Sequence, residues 1–413
     1  MPLLLRLGFR NIWRHKKRSL ITLAAIAVGL GALIFLRGFM FGAQRQMVKN
    51  LTRTLTSDAQ IVPAALENFY NTNGAIEDPD PIRAILNEDR RVLAYAERIV
   101  GGGMVASEKK SMGTYIIGLD PEAEERIDAR REVVRGRGLA PGGLANTDET
   151  SVIVGEKMRQ ALEIEVGDPV VLTAQDYYSS LAAGSYTVVG SFETGNDQVD
   201  NTMVILLKSS AQKLLSFEHR ISKFALKIDP DHSLQEVTSD LARRLGGPDL
   251  KVVTWETLVP MIAQMIRFQN GMIFVIMAIV LSAVAVGILN TLMMSILERI
   301  REFGLMMALG MRPRSIVRLV LIESLCLGLV GTLSGWLLGA VLVFYFGHVG
   351  IDLTRFTTAL SNLMIGRHVF PRLDLSYSLI FAGVVVVSNL LISLYPAWKA
   401  GRLAPLESMR QAG

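Results

Sequence analysis

Residues 268–297 are thirty consecutive residues without a charge, and the segment that follows, Glu298-Arg-Ile-Arg-Glu-Phe-Gly-Leu-Met-Met-Ala-Leu-Gly-Met-Arg-Pro-Arg314, sets arginines on both sides of a short apolar stretch. A hydrocarbon core about 30 Å thick takes roughly 20 helical residues, so the run is long enough to cross a bilayer. Its main polar interruptions, Gln269, Asn270, Asn290 and Thr291, lie near its ends. Residues 303–311 are too few to span. Kept in the cytosol by basic flanks, Phe303, Leu305, Met306, Met307 and Leu309 would face water unless a partner covered them, so the stretch reads as a docking element. Gly310 is a helix stop, Pro313 prevents simple continuation and Ser315 is placed to cap the next helix. This predicts a helix-turn-helix knob, thinned on one face by Gly304 and Ala308.

At 50% hydrophobic residues over 413 positions the chain is too apolar for a soluble protein of its size, while 20% charged residues exclude one that is membrane throughout. The net charge of +5 does not point to nucleic acid, because Lys and Arg concentrate beside the apolar runs and no aromatic-interleaved basic patch occurs. A single cysteine, Cys326, excludes an intramolecular disulfide and any multi-cysteine metal site.

In chain order, residues 1–18 form an amphipathic helix at the cytosolic membrane face, with Arg6, Arg10, Arg14 and Lys17 on one side and Leu5, Phe9, Ile12 and Trp13 beside them. Residues 19–42 are the first span, an uncleaved signal anchor with Arg37 near its outer end. Residues 43–57 form an outer stalk, and 255–297 a second stalk running into the second span. Met47, Leu51 and Leu55 on one, with Leu258, Ile262, Met265 and Ile266 on the other, recur at helical spacing and predict that the stalks pair.

Residues 58–254 lie between the stalks and read as an α+β extracytoplasmic domain. Strands are predicted at 59–62, 99–105, 114–118, 151–154, 170–174, 186–192, 202–207 and 224–228, and helices at 155–162, 209–215 and 233–245. Ser233 with Glu236 makes a capping box for the last of these. The Gly- and Pro-rich stretch 135–148 is a loop and a possible subdomain boundary, and 177–184 a hairpin tip. Residues 298–314 are the cytosolic knob, 315–347 the third span, 348–374 an outer loop, 375–398 the fourth span and 399–413 a cytosolic tail. Gly331, Gly335 and Gly339, four apart, make a helix-packing face that suits a partner within the chain or a second copy equally well. Six Lys or Arg precede the first span, five lie between the second and third, and three follow the fourth, against three (Arg355, Arg367, Arg372) in the last outer loop. That bias puts both termini and the knob inside, and the large domain outside.

No Gly-x-x-x-x-Gly-Lys-Ser/Thr occurs, so nucleotide phosphates are not cradled here in the P-loop manner. His15, His219, His232, His348 and His368 lack ligand spacing, which predicts no metal, and the Gly-x-Gly at Gly136 and Gly138 lacks the third glycine. No catalytic residues are expected. Glu323 is the one serious ionisable candidate in or beside the spans, and its place near the cytosolic end suits snorkelling or pairing with Arg318 better than a transport path.

The motif Glu298-Arg-x-Arg-Glu-Phe-Gly-Leu-x-x-Ala-Leu-Gly310, the four-span layout and the ending Tyr395-Pro-Ala-Trp-Lys-Ala-Gly-Arg402 resemble FtsX-like ABC transporter permeases of the lipoprotein-releasing (LolC/LolE) type, related to MacB-type permeases. The opening Leu7-Gly-Phe-Arg-Asn-Ile-Trp-Arg-His-Lys-Lys-Arg18 and the region Gly167-Asp-Pro-Val170 are similar to that group as well. The resemblance implies an α-helical membrane protein with four transmembrane helices and a large α+β domain inserted between the first and second spans. It implies an inner-membrane location with the domain periplasmic, a homo- or heterodimer of permease subunits, and two cytosolic ABC ATPases that hold ATP and Mg while this chain binds no cofactor. The knob then acts as the coupling helix. Its ATPase contacts would be Arg299, Arg301, Glu302, Phe303, Gly304, Leu305, Met306, Leu309, Gly310 and Arg312. The implied activity is mechanotransmission that extracts or releases lipoprotein, with a periplasmic acceptor as a further partner; MacB-like efflux of drugs, peptides or other amphiphiles, and a non-transporting receptor or scaffold, are the alternatives. Met40, Phe41, Met265, Phe268, Met272 and Phe274 are the candidate lining of an apolar cavity, their side chains adaptable to acyl chains. A stiff helix from about residue 255 to 297 would serve as a lever.

Overall fold

The computed structural model describes residues 16–65, 74–128, 132–136, 149–194, 196–353 and 368–402. The amphipathic face of residues 1–15, residues 137–148 of the expected loop, Arg355 and Arg367, and the tail beyond Arg402 lie outside the described residues. The rest falls into two compact units, within Met1–Gln44, Arg267–Asp352 and His368–Gly413 for one and within Arg45–Ile266 and Leu353–Arg367 for the other.

After α1 (Lys16–Leu51) come β1 (Ala59–Pro63), α2 (Asp80–Glu88) and the long β2 (Val92–Ala106). β3 (Ser111–Leu119), α3 (Pro121–Arg126), β4 (Glu132–Gly136), β5 (Ser151–Gly155), α4 (Glu156–Leu162), β6 (Pro169–Gln175), β7 (Leu181–Glu193), α5 (Asp197–Thr202), β8 (Met203–Leu207) and α6 (Lys208–Leu215) follow. β9 (Lys223–Ile228), α7 (Leu234–Leu245), β10 (Leu250–Thr254) and the single turn α8 (Trp255–Leu258) complete the mixed α/β domain.

The domain has two lobes. β1, α2, β2, β9, α7 and β10 form a β-α-β-β-α-β unit with antiparallel order β10-β1-β9-β2, and Ile61, Ile82, Leu86, Phe224, Leu226 and Leu241 fill its core. The second lobe is a closed ring. β6 pairs with both β2 and β7, so β2, β3, β8, β5, β7 and β6 return on themselves as a six-stranded barrel. Val105, Ile116, Val152, Leu172, Val188 and Val204 belong to the apolar cluster of this lobe, together with Met158 and Leu162 of α4 and Leu214 and Leu215 of α6.

The boundary between lobes is not the stretch 135–148. It runs along β2, whose first half pairs with β9 and whose second half pairs with β6, and residues 135 and 136 belong to β4 on the edge of β7. One strand shared by two sheets leaves no linker for composition to reveal. Ser233 does take the N-cap position of α7, but its side chain makes no capping bond, so the capping box is not formed. At the β6–β7 hairpin the strands run closer to the tip than expected, and Asp176 Oδ1 accepts the backbone N–H groups of Tyr178 and Ser180 to close the turn.

Leu51 and Leu55 pack with Trp255, Val259 and Ile262 against Ile117, Phe192 and Ile205 of the barrel, while Leu258 packs on Val62 and Val253. The second stalk is interrupted. α9 (Pro260–Glu298) begins only at Pro260, because a residue before proline avoids helical backbone, and Val259 sits at φ −128° and ψ 70°. At 1.5 Å per residue its 39 residues extend roughly 58 Å.

Asp200 on α5 is fully buried; its Oδ1 accepts from Thr194 N at 2.9 Å and Oγ1 at 2.6 Å, and its Oδ2 has no hydrogen-bond partner among the described residues. Burial pushes this carboxyl up to about 6, against hydrogen bonds from Thr194 that lower it. A carboxyl whose folded pKa lies above its unfolded value near 3.9 costs stability as pH rises from about 4 to 6, and the cost stays constant above that. Asp200→Asn is therefore expected to stabilise the protein at pH 8 by roughly 1–3 kcal/mol and to give no gain near pH 4. Thermal unfolding at the two pH values checks this, and an unchanged midpoint at pH 8 would count against it.

In the other unit, α10 (Ile300–Ala308), α11 (Pro313–Val349), β11 (Ile351–Asp352), β12 (His368–Val369) and α12 (Leu375–Gly401) join the first part of α1 and most of α9. Among the described residues, α1, α9, α11 and α12 are the four helices long and apolar enough to cross a membrane. The glycine face of α11 packs inside the subunit: a Cβ on Gly331 would meet Ile26 at 3.0 Å, on Gly335 the backbone of Ala27 at 2.9 Å and on Gly339 Ile34 at 2.7 Å. The helices can approach closely because α11 places no side chain at these positions, which leaves room for Ile26 and Ile34 of α1. Asn389 of α12 donates to the Ser324 carbonyl at 2.8 Å, which satisfies its amide within the bundle.

Candidate functional site

The knob follows α9 without a loop. Arg299, at φ −104° and ψ 12°, breaks the helix, α10 runs from Ile300 to Ala308, and Gly310 ends it at φ +95°. Met311 N donates to Met306 O and Gly310 N to Met307 O, both at 3.0 Å, which is the Schellman arrangement. Only a residue without Cβ takes the left-handed position at low cost. The next helix is capped differently from the expectation for Ser315: Arg312 is the N-cap, Pro313 occupies the first turn, and Ser315 lies inside the helix.

The structure sorts the predicted contact residues into two groups. Phe303 is 1% exposed and packs with Ile296, Ile316, Leu319, Ala397 and Ala400, so it closes the bundle end and does not face water. Arg299 is buried as well; it donates to Glu302 Oε2 at 3.2 Å and to Glu323 Oε2 at 2.9 Å, and its guanidinium lies 5.1 Å from the Phe303 ring centre. Glu323 is thus held by Arg299, where the sequence had suggested Arg318. Gly304 is buried, and Met306 and Glu302 are half-buried. Arg301, Leu305, Leu309, Gly310 and Arg312 are exposed, Leu305 at 58% and Leu309 at 81%. Residues 301, 305 and 309 stand four apart, so one helix face presents an arginine and two leucines. Apolar surface of this kind beside arginines is built to be covered.

The six cavity candidates differ in their surroundings. Met40 packs in the bundle core, and Phe41 is half-buried with the Arg37 guanidinium 5.4 Å from its ring centre. Phe268 and Met272 are exposed on α9, Phe274 lies 6.0 Å from the Tyr377 ring, and Met265 belongs to the mixed domain unit. What gathers near the C-terminal end of the first span is polar. Arg37 Nε and Nη2 donate to Asp374 Oδ2 at 3.1 and 2.7 Å, and Nη1 donates to Asn270 Oδ1 at 2.8 Å. Gln44 Nε2 donates to Gln269 Oε1 at 3.0 Å, and the Tyr377 ring centre lies 4.0 Å from the guanidinium. Arg37 and Asp374 each stood at the end of an apolar run, which is the signal that could have paired them. Among the described residues no group of three His, Cys, Asp or Glu side chains is arranged to hold a metal ion.

Residues 19–244 match the MacB-like periplasmic core domain family, and residues 274–405 match the FtsX-like permease C-terminal family. The lipoprotein-releasing system transmembrane protein LolC of Xylella fastidiosa (strain Temecula1) is 24% identical, the match covering 99% of each chain. The macrolide export ATP-binding/permease protein MacB of Neisseria gonorrhoeae is 21% identical over 98% of this chain and 60% of its own length. Among solved structures, the periplasmic region of MacB from Actinobacillus actinomycetemcomitans matches 52% of this chain and 97% of its own with a TM-score of 0.36 and 13% identity.

Proposed function

The chain belongs to the FtsX-like permeases with a MacB-like periplasmic core domain, an ABC transporter permease of the LolC/MacB type, and on that premise we propose that it extracts or releases lipoprotein from the inner membrane. In this reading ATP and Mg are held by a separate cytosolic ATPase, both termini are cytosolic, and the mixed domain is the periplasmic insertion between the first and second spans. A second permease subunit completes the transporter.

The observation that carries the reading is the exposed face of α10, where Arg301, Leu305 and Leu309 protrude while Phe303 and Arg299 fasten the helix to the spans. An apolar pair on a short helix suits a groove in a partner, in the helix-in-groove mode. The fastening matters as much as the face, since a knob rooted in α9, α11 and α12 passes displacement on to the spans instead of flexing.

A second reading, efflux of drugs, peptides or other amphiphiles, is favoured by the match of residues 19–244 to the MacB-like domain. ATP turnover by the reconstituted chain with its co-purifying ATPase separates the two. Stimulation by a triacylated lipoprotein is expected; stimulation only by small amphiphiles would transfer the assignment to efflux, and a preparation in which no ATPase co-purifies would remove the ABC reading.

A further inference from the structure

The two stalks join the mixed domain in opposite ways. The first ends in a π-helical turn, Thr52–Thr56, that follows directly on α1 and is closed by Ser57 N donating to the Thr52 carbonyl at 2.8 Å. A helix end leaves carbonyls without partners inside the helix, and here the domain supplies the partners. Arg98 Nη1 of β2 donates to the Leu55 carbonyl at 2.6 Å, and Gln60 Nε2 of β1 donates to the Thr56 carbonyl at 2.8 Å. Just past the turn, Ser57 Oγ and Asp58 N both donate to the Leu226 carbonyl of β9, at 2.7 and 3.1 Å. Three neighbouring strands, β1, β9 and β2, thus hold the end of one helix through directional bonds.

The grip is stiff because its own parts are fixed. Arg98 is 2% exposed and stands where β2 passes from one lobe to the other, paired with Lys223 of β9 on one edge and Leu119 of β3 on the other. Its Nε and Nη2 donate to Glu124 Oε1 and Oε2 of α3 at 2.7 and 2.9 Å, which leaves the guanidinium no freedom to turn. A cation at this end of a helix also meets the favourable side of the helix dipole. Gln60, Leu55 and Thr56 are buried. Ser57 sits at φ +58° and ψ −173°, a conformation that a non-glycine residue keeps only where its neighbours impose it.

The second stalk lacks such a grip. β10 ends at Thr254, α8 is a single turn, and Val259 separates that turn from α9. Thr254 makes no side-chain capping bond and Pro260 has no N–H to donate. Among the described residues, no side chain of the domain's strands bonds to the backbone of residues 255–260. What holds this stretch is apolar: Trp255, Val259 and Ile262 lie against Leu51, Leu55 and the barrel, and contacts of that kind have no direction to lose when surfaces slide. The ψ of Val259, 70°, falls short of the roughly +120° to +160° that a residue before proline prefers, so a second backbone well is within reach. Rotation about that one bond redirects α9 from its first turn onward.

We propose that the first stalk is the fixed arm of the mixed domain and Val259 its pivot. The domain moves as one body with the Thr52–Thr56 turn, while the first turns of α9 swing about Val259 and slide along Leu51 and Leu55. A domain gripped equally by both stalks would lock them together. Gripped by the first alone, it follows every displacement of that stalk and leaves the second free to shift beside it. The inference goes beyond the transport reading and does not depend on what is transported.

The test needs neither ATPase nor substrate, so its failure is distinct from failure of the transport reading. Nitroxide labels are placed in the full chain carrying Cys326→Ala, at Gln235→Cys on α7 together with either Lys49→Cys on the first stalk or Gln264→Cys on the second, all three positions being exposed. Distances are read by pulsed electron resonance in lipid nanodiscs. A single narrow distribution is expected between 49 and 235, and a broad or two-peaked one between 264 and 235. Pro260→Ala lets α8 run into α9 as one helix, and is expected to narrow the second distribution to the width of the first while leaving the first unchanged. Wild-type distributions of equal width, or a second distribution that stays broad in Pro260→Ala, would overturn the proposal.

Discussion

Leu305→Asp is expected to abolish co-purification of an ABC ATPase with this chain while leaving its membrane insertion unchanged. Leu305 is 58% exposed on α10, so the substitution removes little from the folded subunit itself. In a docked complex the same side chain is buried. Losing a buried leucine there costs about 1.5–3 kcal/mol, and an unpaired carboxylate in its place adds several more. Together these exceed roughly 4 kcal/mol, about a thousandfold in affinity. Leu309→Asp should act in the same way, at a position 81% exposed. Phe303→Ala is the contrast, because it empties the pocket between Ile316, Leu319 and Ala397 and should cost about 3–5 kcal/mol of subunit stability, read as a lowered unfolding temperature. Normal co-purification of Leu305→Asp would remove the docking role from this face.

The knob shows how far sequence reasoning reaches. Its flanking arginines, its length and Gly310 were enough to predict a short helix and a turn, since these are local properties. Which of its side chains face inward was not legible, because that depends on Ala397 and Ala400 of α12, nearly a hundred residues away. The domain repeats the lesson. All eight predicted strands are present, each marked by β-branched and apolar residues, whereas in the first half of β2 only Val92 and Tyr95 are strong strand formers, diluted by Ala94, Ala96, Glu97 and Arg98, and β10 was absorbed into the approach to the second stalk. Barrel closure was equally hidden. It rests on β6 pairing with β2 and β7 at once, and no local pattern encodes a strand's second partner. Arg98 carries no sequence signal of its own, for an arginine that crosses between lobes looks like any other in a strand.

Arg37→Met is expected to lower the stability of the membrane unit by about 3–5 kcal/mol, and Arg37→Met with Asp374→Asn to recover most of the loss. The pair sits at the ends of two spans, and Asn270 at the start of the second span accepts from the same guanidinium, so three spans are tied at one point. Removing the arginine alone leaves a carboxylate with its main partner gone where water is scarce. Asp374 has a second task, because its Oδ1 accepts from Tyr377 N and caps α12, and Asn preserves that acceptor while discarding the charge. A Leu at 374 would lose the cap and confuse the comparison. Thermal unfolding in detergent reads the stability of all three variants, and a single variant that unfolds at the wild-type temperature would show that the pair contributes nothing to the fold. ATP turnover with the partner ATPase then asks a separate question of the double variant. Recovery of stability without recovery of stimulated turnover would mean that the charges serve the transport cycle, since a fold equally well held without them has no other use for a buried ion pair across three helices.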